Sequence, residues 1–513
     1  MDRRRFLLQA SAAASVAACL PLGRSQSGPA VSAELALHED PEAQLIPLTY
    51  AGLSYELAEL TNPKFFSPSN RELIAHFRLL SPQGVLRIGG NTLEACWFQA
   101  DASTPALEMK LPPDKMDDIW MSHRLFAITP EAIDALAGFL SATGWKLIYG
   151  LNLGNSTPER AATEAAYVAR AVGNRLLLFQ IGNEPDLYHN AGNGNRPPNW
   201  GFDDYLKEWI VYAEAIVAKV PEARFGGADC GFNWAMRLGK EVPATLASHV
   251  AALTTHTYAE GPPNDPRVTI ERLLAGKPSI PTQTKEIVAA ARAQGRTYLM
   301  SECNTCYRSG KPGLSNAFAS ALWACDFMLQ LASLGCAGVY LHGGSSEFLI
   351  AGIGDHTPGL DVAKGPQITL GAYYSPILSE PGRAIKAMPA FYGMLLANQF
   401  AGGTPLNVEG NLQGVNATAY AAKTDHGLKV AVFNKDELKT IELSISAPRK
   451  VRAATAWRMR APQLDSTEGV TLAGAEIHAH AQWSPKVVEP VEVRNGIARI
   501  RIPAASAALL FLS

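Results

Sequence analysis

Along the middle of the chain the apolar positions change period again and again. Short runs of apolar, β-branched or aromatic residues alternate with longer stretches whose apolar residues recur every three or four positions. The short runs predict strands at 47–56, 84–91, 146–152, 176–184, 224–229, 253–258, 297–302 and 338–343. The longer stretches predict helices between them, among others at 130–143, 158–172, 203–220, 282–294 and 315–334. Two of these open on Thr129-Pro130 and Thr157-Pro158, a capping hydroxyl followed by the residue best suited to a first helical position.

Eight strands alternating with helices predict a (β/α)8 barrel. A doubly wound open sheet is the competing α/β arrangement, but it calls for a glycine-rich phosphate turn after its first strand, and 47–56 is followed by none. Gly89-Gly90 follows the second strand without the remaining glycine of that motif. Near Met388 the pattern changes. Short alternating runs at 417–423, 428–434, 441–445, 451–458, 491–494, 497–502 and 507–512 are separated by turn residues and predict an antiparallel β-sandwich. The expected division is a leader over 1–30, a catalytic barrel over 31–388 and a sandwich over 389–513. Residues 31–45 are an extra segment available to pair with the sandwich.

Composition narrows the function. The chain has 513 residues, 47% hydrophobic and 18% charged, which supports a large core and excludes a mainly disordered protein. The net charge of −2 is spread without a basic face, so nucleic acid is not an expected partner. Past residue 30 no apolar run is long enough to span a bilayer. The start differs: Arg3-Arg4-Arg5-Phe6-Leu7 resembles a twin-arginine export signal, and an Ala- and Leu-rich stretch follows. Val31-Ser32-Ala33 is one cleavage candidate, and Val16-Ala17-Ala18-Cys19 resembles a lipoprotein box that would lipidate Cys19. Both imply export from a bacterial cytoplasm, to the periplasm or beyond, with a lipid anchor in the second case. Of the seven cysteines, Cys303 and Cys306 have redox-like spacing. No second Cys-x-x-Cys or His pair completes a zinc site, so neither metal nor cofactor is expected. The cysteines read as small hydrophobes.

In such a barrel chemistry is done at the C-terminal ends of the strands. The fourth predicted strand ends in Asn183-Glu184-Pro185 and the seventh in Ser301-Glu302. Two carboxylates at the mouth, on opposite strands, suit glycoside cleavage. One protonates the leaving oxygen and the other meets the oxocarbenium-like carbon, directly at ~5–5.5 Å or through water at ~6.5–9.5 Å. His256 reads as a hydrogen-bonded barrel residue, and His342 as close packing under the sugar or a contact to it. Trp200, in a Gly/Asn/Pro-rich loop, is either a stacking platform or plain surface.

The segments 52–56 (GLSYE), 86–94 (LRIGGNTLE), 180–185 (QIGNEP), 256–258 (HTY) and 301–309 (SECNTCYRS) resemble, in order, those of glycoside hydrolase family 79, the β-glucuronidase and heparanase family of clan A retaining glycosidases. The resemblance implies Glu184 as general acid/base and Glu302 as nucleophile. It further implies Asn183 on the sugar 2-hydroxyl, Tyr258 steadying the nucleophile and Glu56 accepting from hydroxyls. Tyr307, the backbone N–H near Ser309 and Tyr374 would hold a uronate carboxylate. Two positions depart from the family pattern: Glu94, a candidate contact to the sugar hydroxyls, stands where Asp is usual, and Ser309 where Gly is common. The implied activity is retaining hydrolysis of β-D-glucuronides or other uronate-containing glycans. The competing readings are the same mechanism on a neutral β-glycoside such as a xyloside, heparanase-like internal cleavage, and a non-catalytic glycan-binding protein.

Overall fold

The computed structural model describes residues 30–108, 124–189, 196–353, 371–412 and 414–513; the expected leader, including Cys19, lies outside them. Eight parallel strands close a barrel: Ala51–Glu56, Val85–Gly89, Lys146–Leu151, Leu176–Ile181, Phe225–Cys230, Val250–Glu260, Thr297–Cys306 and Gly338–Gly343, the last pairing back onto the first. They are buried almost throughout because helices cover the outside while side chains fill the inside. Thr129 and Thr157 cap the helices Pro130–Thr143 and Pro158–Val172, their side chains accepting from Ala132 N and Arg160 N. No helix among the described residues is long and apolar enough to cross a membrane.

The C-terminal β domain is the expected antiparallel β domain. Its strands hydrogen-bond into one sheet that curls around a core of its own, and one pair of neighbours is parallel. One of its interior strands, Ala30–Glu39, comes from the other end of the chain. That strand pairs antiparallel with Thr404–Gly410 and parallel with Thr440–Ser446. Val31, Ser32 and Ala33 are paired with Ile441, Glu442 and Leu443, so a cut after Ala33 would remove part of this strand. The two faces of the sheet bury into different cores. Val430 and Val432 join Leu35, Ile441 and Leu510 inside the curl. The alternate residues Ala431 and Phe433 face the barrel core, together with Met459 and Leu509.

The domain boundary also moves. The sequence pattern places residues 389–397 in the β domain, but Pro389–Ala397 is a fully buried helix of the barrel, packed against the helix Phe318–Ser333. Its contact is close because it has a glycine there: a Cβ at Gly393 would sit 2.2 Å from the carbonyl oxygen of Ala321. Backbone cannot yield as a side chain tip can. Gly393→Ala is therefore expected to destabilise the fold by about 1–3 kcal/mol, read as a lowered thermal midpoint with the catalytic cavity unchanged.

All six described cysteines are free and buried; Cys303 and Cys306 are not joined. Burial raises their thiol pKa values, so they are packing residues rather than thiolates at neutral pH.

Candidate active site

The site is organised around Arg87, from the second barrel strand. Residues 87 and 89 alternate onto the same face of that strand, and Gly89 leaves the room the guanidinium occupies: a Cβ there would lie 2.5 Å from Arg87 Cζ. Arg87 is fully buried and donates to five acceptors. Nη1 reaches Glu302 Oε2 at 2.5 Å and Ser54 Oγ at 3.1 Å. Nη2 reaches Asp229 Oδ2 and, at 2.7 Å, Asn183 Oδ1, while Nε donates to Gln180 Oε1 at 3.1 Å. A buried arginine is tolerated only when its charge and donors are matched in this way.

Glu302 is buried on the seventh strand, where the register slips between Met300 and Cys303. Its Oε1 accepts from Tyr258 OH at 2.7 Å, and its Oε2 lies 3.6 Å from His342 Nδ1. Burial by itself would raise its pKa. The charges of His342, His256 and Arg87, with the Tyr258 hydrogen bond, outweigh burial and hold it down at about 2. An ionised carboxylate with its lone pairs directed is what a nucleophile requires.

Glu184 follows the fourth strand in a left-handed conformation, φ 48, with its N–H bonded to the Asp229 carbonyl at 2.9 Å. It is more open than Glu302. His256 Nδ1 lies 3.1 Å from Glu184 Oε1, and Nε2 lies 3.0 Å from Asp229 Oδ1. Burial opposes a charge on His256, but Asp229 and Glu302, with hydrogen bonds to Asp229 and Glu184, push its pKa up to about 10. An imidazolium thus stands near Asp229 and Glu302, and its charge favours their ionised forms. One oxygen of Glu184, one of Glu302 and one His256 nitrogen all lie within 4.8 Å of one another. Such a trio can ligate a metal in other settings. Here a cation would face both Arg87 and the imidazolium, so the donor set fits paired-carboxylate chemistry better.

A cavity of about 290 Å³ opens onto these groups. Glu184, Glu302, Tyr258, Glu56, Tyr307, Ser309 and Tyr374, all anticipated from the sequence, line it. Glu56 Oε2 accepts from the Thr92 N–H at 2.8 Å and from its hydroxyl at 2.7 Å, and Oε1 lies 3.3 Å from His342 Nε2. Gly90, at φ 71, and Gly352 close around this carboxylate. Tyr307 sits at the rim, 36% exposed, with its ring perpendicular to that of Tyr258.

Two anticipated contacts lie behind the cavity instead of on it. Glu94 is buried at 1% exposure. Its Oε2 accepts from the Gly154 N–H at 2.5 Å, and its Oε1 accepts from the Asn183 N–H at 3.1 Å and from Tyr188 OH. The longer acid therefore braces the backbone that carries Asn183 and Glu184 rather than meeting sugar hydroxyls. Asn183 is buried too, its amide held between Arg87 and Asn91. Trp200 is also structural. It is buried, stacks on Tyr188 and donates from Nε1 to the Pro185 carbonyl at 3.2 Å.

Known proteins share this arrangement of domains. Residues 419–509 match the family model described as the glycosyl hydrolase family 79 C-terminal beta domain. A beta-glucuronidase of Aspergillus niger is 23% identical, with 95% of each chain covered. The β domain of this chain is thus similar to that of glycoside hydrolase family 79. A second relative, a beta-glucuronidase of Neurospora crassa, is 26% identical over 62% of each chain. Among solved structures, a 4-O-α-L-rhamnosyl-β-D-glucuronidase of Fusarium oxysporum superposes with TM-score 0.70 at 18% identity, covering 93% of this chain and all of that one. A GH51 arabinofuranosidase of Xanthomonas axonopodis pv. citri gives 0.60 at 17%, covering 94% and 100%. At such identity the two structures speak for the fold alone.

Arg87, Asp229, Asn91 and Arg308 were not anticipated from the sequence as parts of this site, nor was a role of His256 toward the carboxylates. Arg87 carried a signal: an arginine in the middle of an apolar strand has to be paired inside the barrel. Asp229 carried a weaker one, as an acid at the end of the fifth strand.

Proposed function

We propose that the protein is a retaining β-glucuronidase that uses Glu302 as nucleophile and Glu184 as general acid/base. The observation that carries this reading is the approach of the two carboxylates, with an oxygen of each within 4.8 Å of the other, which fits the short separation of a direct-attack pair. Glu302 Oε attacks the anomeric carbon as the glycosidic bond breaks, and Glu184 gives its proton to the departing oxygen. Glu184, now ionised, takes a proton from water; the water oxygen attacks the same carbon and releases Glu302. Arg87 and Tyr258 keep Glu302 anionic and oriented, so little reorganisation accompanies attack. The beta-glucuronidase relatives and the tyrosines on the cavity wall support a uronate glycone.

Two inversions leave the configuration unchanged. The first product seen by proton NMR is therefore expected to be the β-anomer, with the α-anomer growing in only by mutarotation. Early appearance of the α-anomer would make Glu302 a base acting through water and end the retaining assignment.

The export reading rests on Arg3-Arg4-Arg5-Phe6-Leu7 and the apolar stretch after it, which support delivery of the folded enzyme outside a bacterial cytoplasm.

A further inference from the structure

Glu302, held ionised, lines the cavity with Glu56 and Glu184, and a uronate brings a further negative charge into it. In a partly dry pocket that repulsion is poorly screened. Tyr307 and Tyr374 offer hydrogen bonds without charge. Arg308 lines the same cavity, with its guanidinium carbon 5.8 Å from the Tyr307 ring centroid. Burial lowers its pKa, yet a guanidinium stays charged at any working pH.

The backbone at this point is unusual. Arg308, Ser309 and Gly310 have φ of 60, 61 and 91, three successive left-handed residues of which two are not glycine. Such a conformation is strained for L residues and persists only where the surroundings hold it. Here Tyr307 N–H bonds the Glu260 carbonyl at 3.2 Å, and Tyr374 N–H bonds the Ser309 carbonyl at 3.3 Å. A Cβ at Gly310 would lie 2.8 Å from that same Tyr374 nitrogen, so the turn is packed tightly on the tyrosine segment of the pocket wall. Ser309 is 1% exposed, and its hydroxyl has no hydrogen-bond partner within the protein. A buried hydroxyl left in that state costs free energy that a ligand can recover.

We propose that Arg308 and the Ser309 hydroxyl form an anion-binding corner of the pocket that selects a carboxylate-bearing sugar over a neutral one. The proposal rests on the glucuronidase reading above and adds to it a charged specificity residue that the tyrosines and the backbone amide do not supply. Neither residue acts on the breaking bond, so the effect belongs in KM rather than kcat.

The test compares the full-length wild type with Arg308→Gln, Arg308→Lys and Ser309→Gly on p-nitrophenyl β-D-glucuronide, β-D-glucoside and β-D-xyloside. Arg308→Gln is expected to raise KM for the glucuronide roughly ten- to hundredfold, with kcat changed by less than about threefold and the neutral substrates spared. Arg308→Lys should recover part of the loss, since it keeps the charge without the planar fork. Ser309→Gly removes the hydroxyl and relieves the left-handed strain. It should raise KM about three- to tenfold while the thermal midpoint holds or rises. Equal losses on charged and neutral substrates, or an unchanged KM for the glucuronide in Arg308→Gln, would overturn the proposal. If Arg308→Gln does not fold, Arg308→Lys and Ser309→Gly decide by the same criterion. Should the wild type cleave neutral glycosides and not the glucuronide, the substrate reading fails separately. Inhibition of that neutral hydrolysis by free D-glucuronate then decides the corner: weaker inhibition of the variants upholds it, and equal inhibition removes it.

Discussion

Glu302→Gln is expected to abolish turnover, with a fall in kcat on the order of 10⁴-fold or more. The amide has no anionic oxygen to attack the anomeric carbon. The other acid close by, Glu184, is committed to the proton. The change also removes one of the two carboxylates that neutralise Arg87, so some loss of stability accompanies it. Asp229 remains on the guanidinium, and the Gln oxygen can still accept from Tyr258, so the protein should fold. Steady-state rates on an aryl glucuronide, with a thermal melt as control, check the expectation. A folded variant that keeps more than about a hundredth of wild-type kcat would remove Glu302 from the nucleophile's role.

The second large effect depends on the substrate. Glu184→Gln should slow substrates with poor leaving groups by about 10²–10⁴-fold, the usual worth of a positioned acid, because their oxygen must be protonated as it departs. An activated aryl glycoside leaves without that help, so its first step should be nearly spared. Its second step still lacks the base that activates water, so the glycosyl-enzyme should accumulate and appear as a burst of aryl product. The Gln side chain keeps an oxygen that can accept from His256 Nδ1, and Asp229 still faces the imidazolium from its other nitrogen, which favours an intact site. Equal losses on both substrate classes, with no burst, would contradict the acid/base assignment.

Much of the site could be read from local pattern. Glu184 and Glu302 each end an apolar run, and a strand end in a parallel barrel is a defined place in space. Tyr258, Glu56, Tyr307, Ser309 and Tyr374 reach the same cavity. Glu94 did not follow, because the one-turn helix Asn91–Ala95 swings it behind the fourth strand, where backbone N–H groups hold it. The helix Pro389–Ala397 was missed for a different reason. All nine of its residues are buried, so it has no polar face and therefore no helical period to detect. The parallel strand pairing in the β domain joins residues about four hundred positions apart, as Ala33 with Leu443, and no local pattern encodes such a partner.

Local pattern sufficed for the alternation of strands and helices, for the two acids at the strand ends and for the order of motifs that resembles family 79. These are short-range properties: side-chain period, capping and residue type at a turn act over a few positions. Tertiary structure alone decided how close the acids stand and what charges surround them. Arg87, Asp229 and His256 come from three different strands and meet only when the barrel closes. Their charges act through a dry interior on whatever the fold brings near, whatever the distance along the chain. That is why Glu302 was recognisable as a carboxylate from its own strand, while its low pKa and its fitness as a nucleophile depend on the closed barrel.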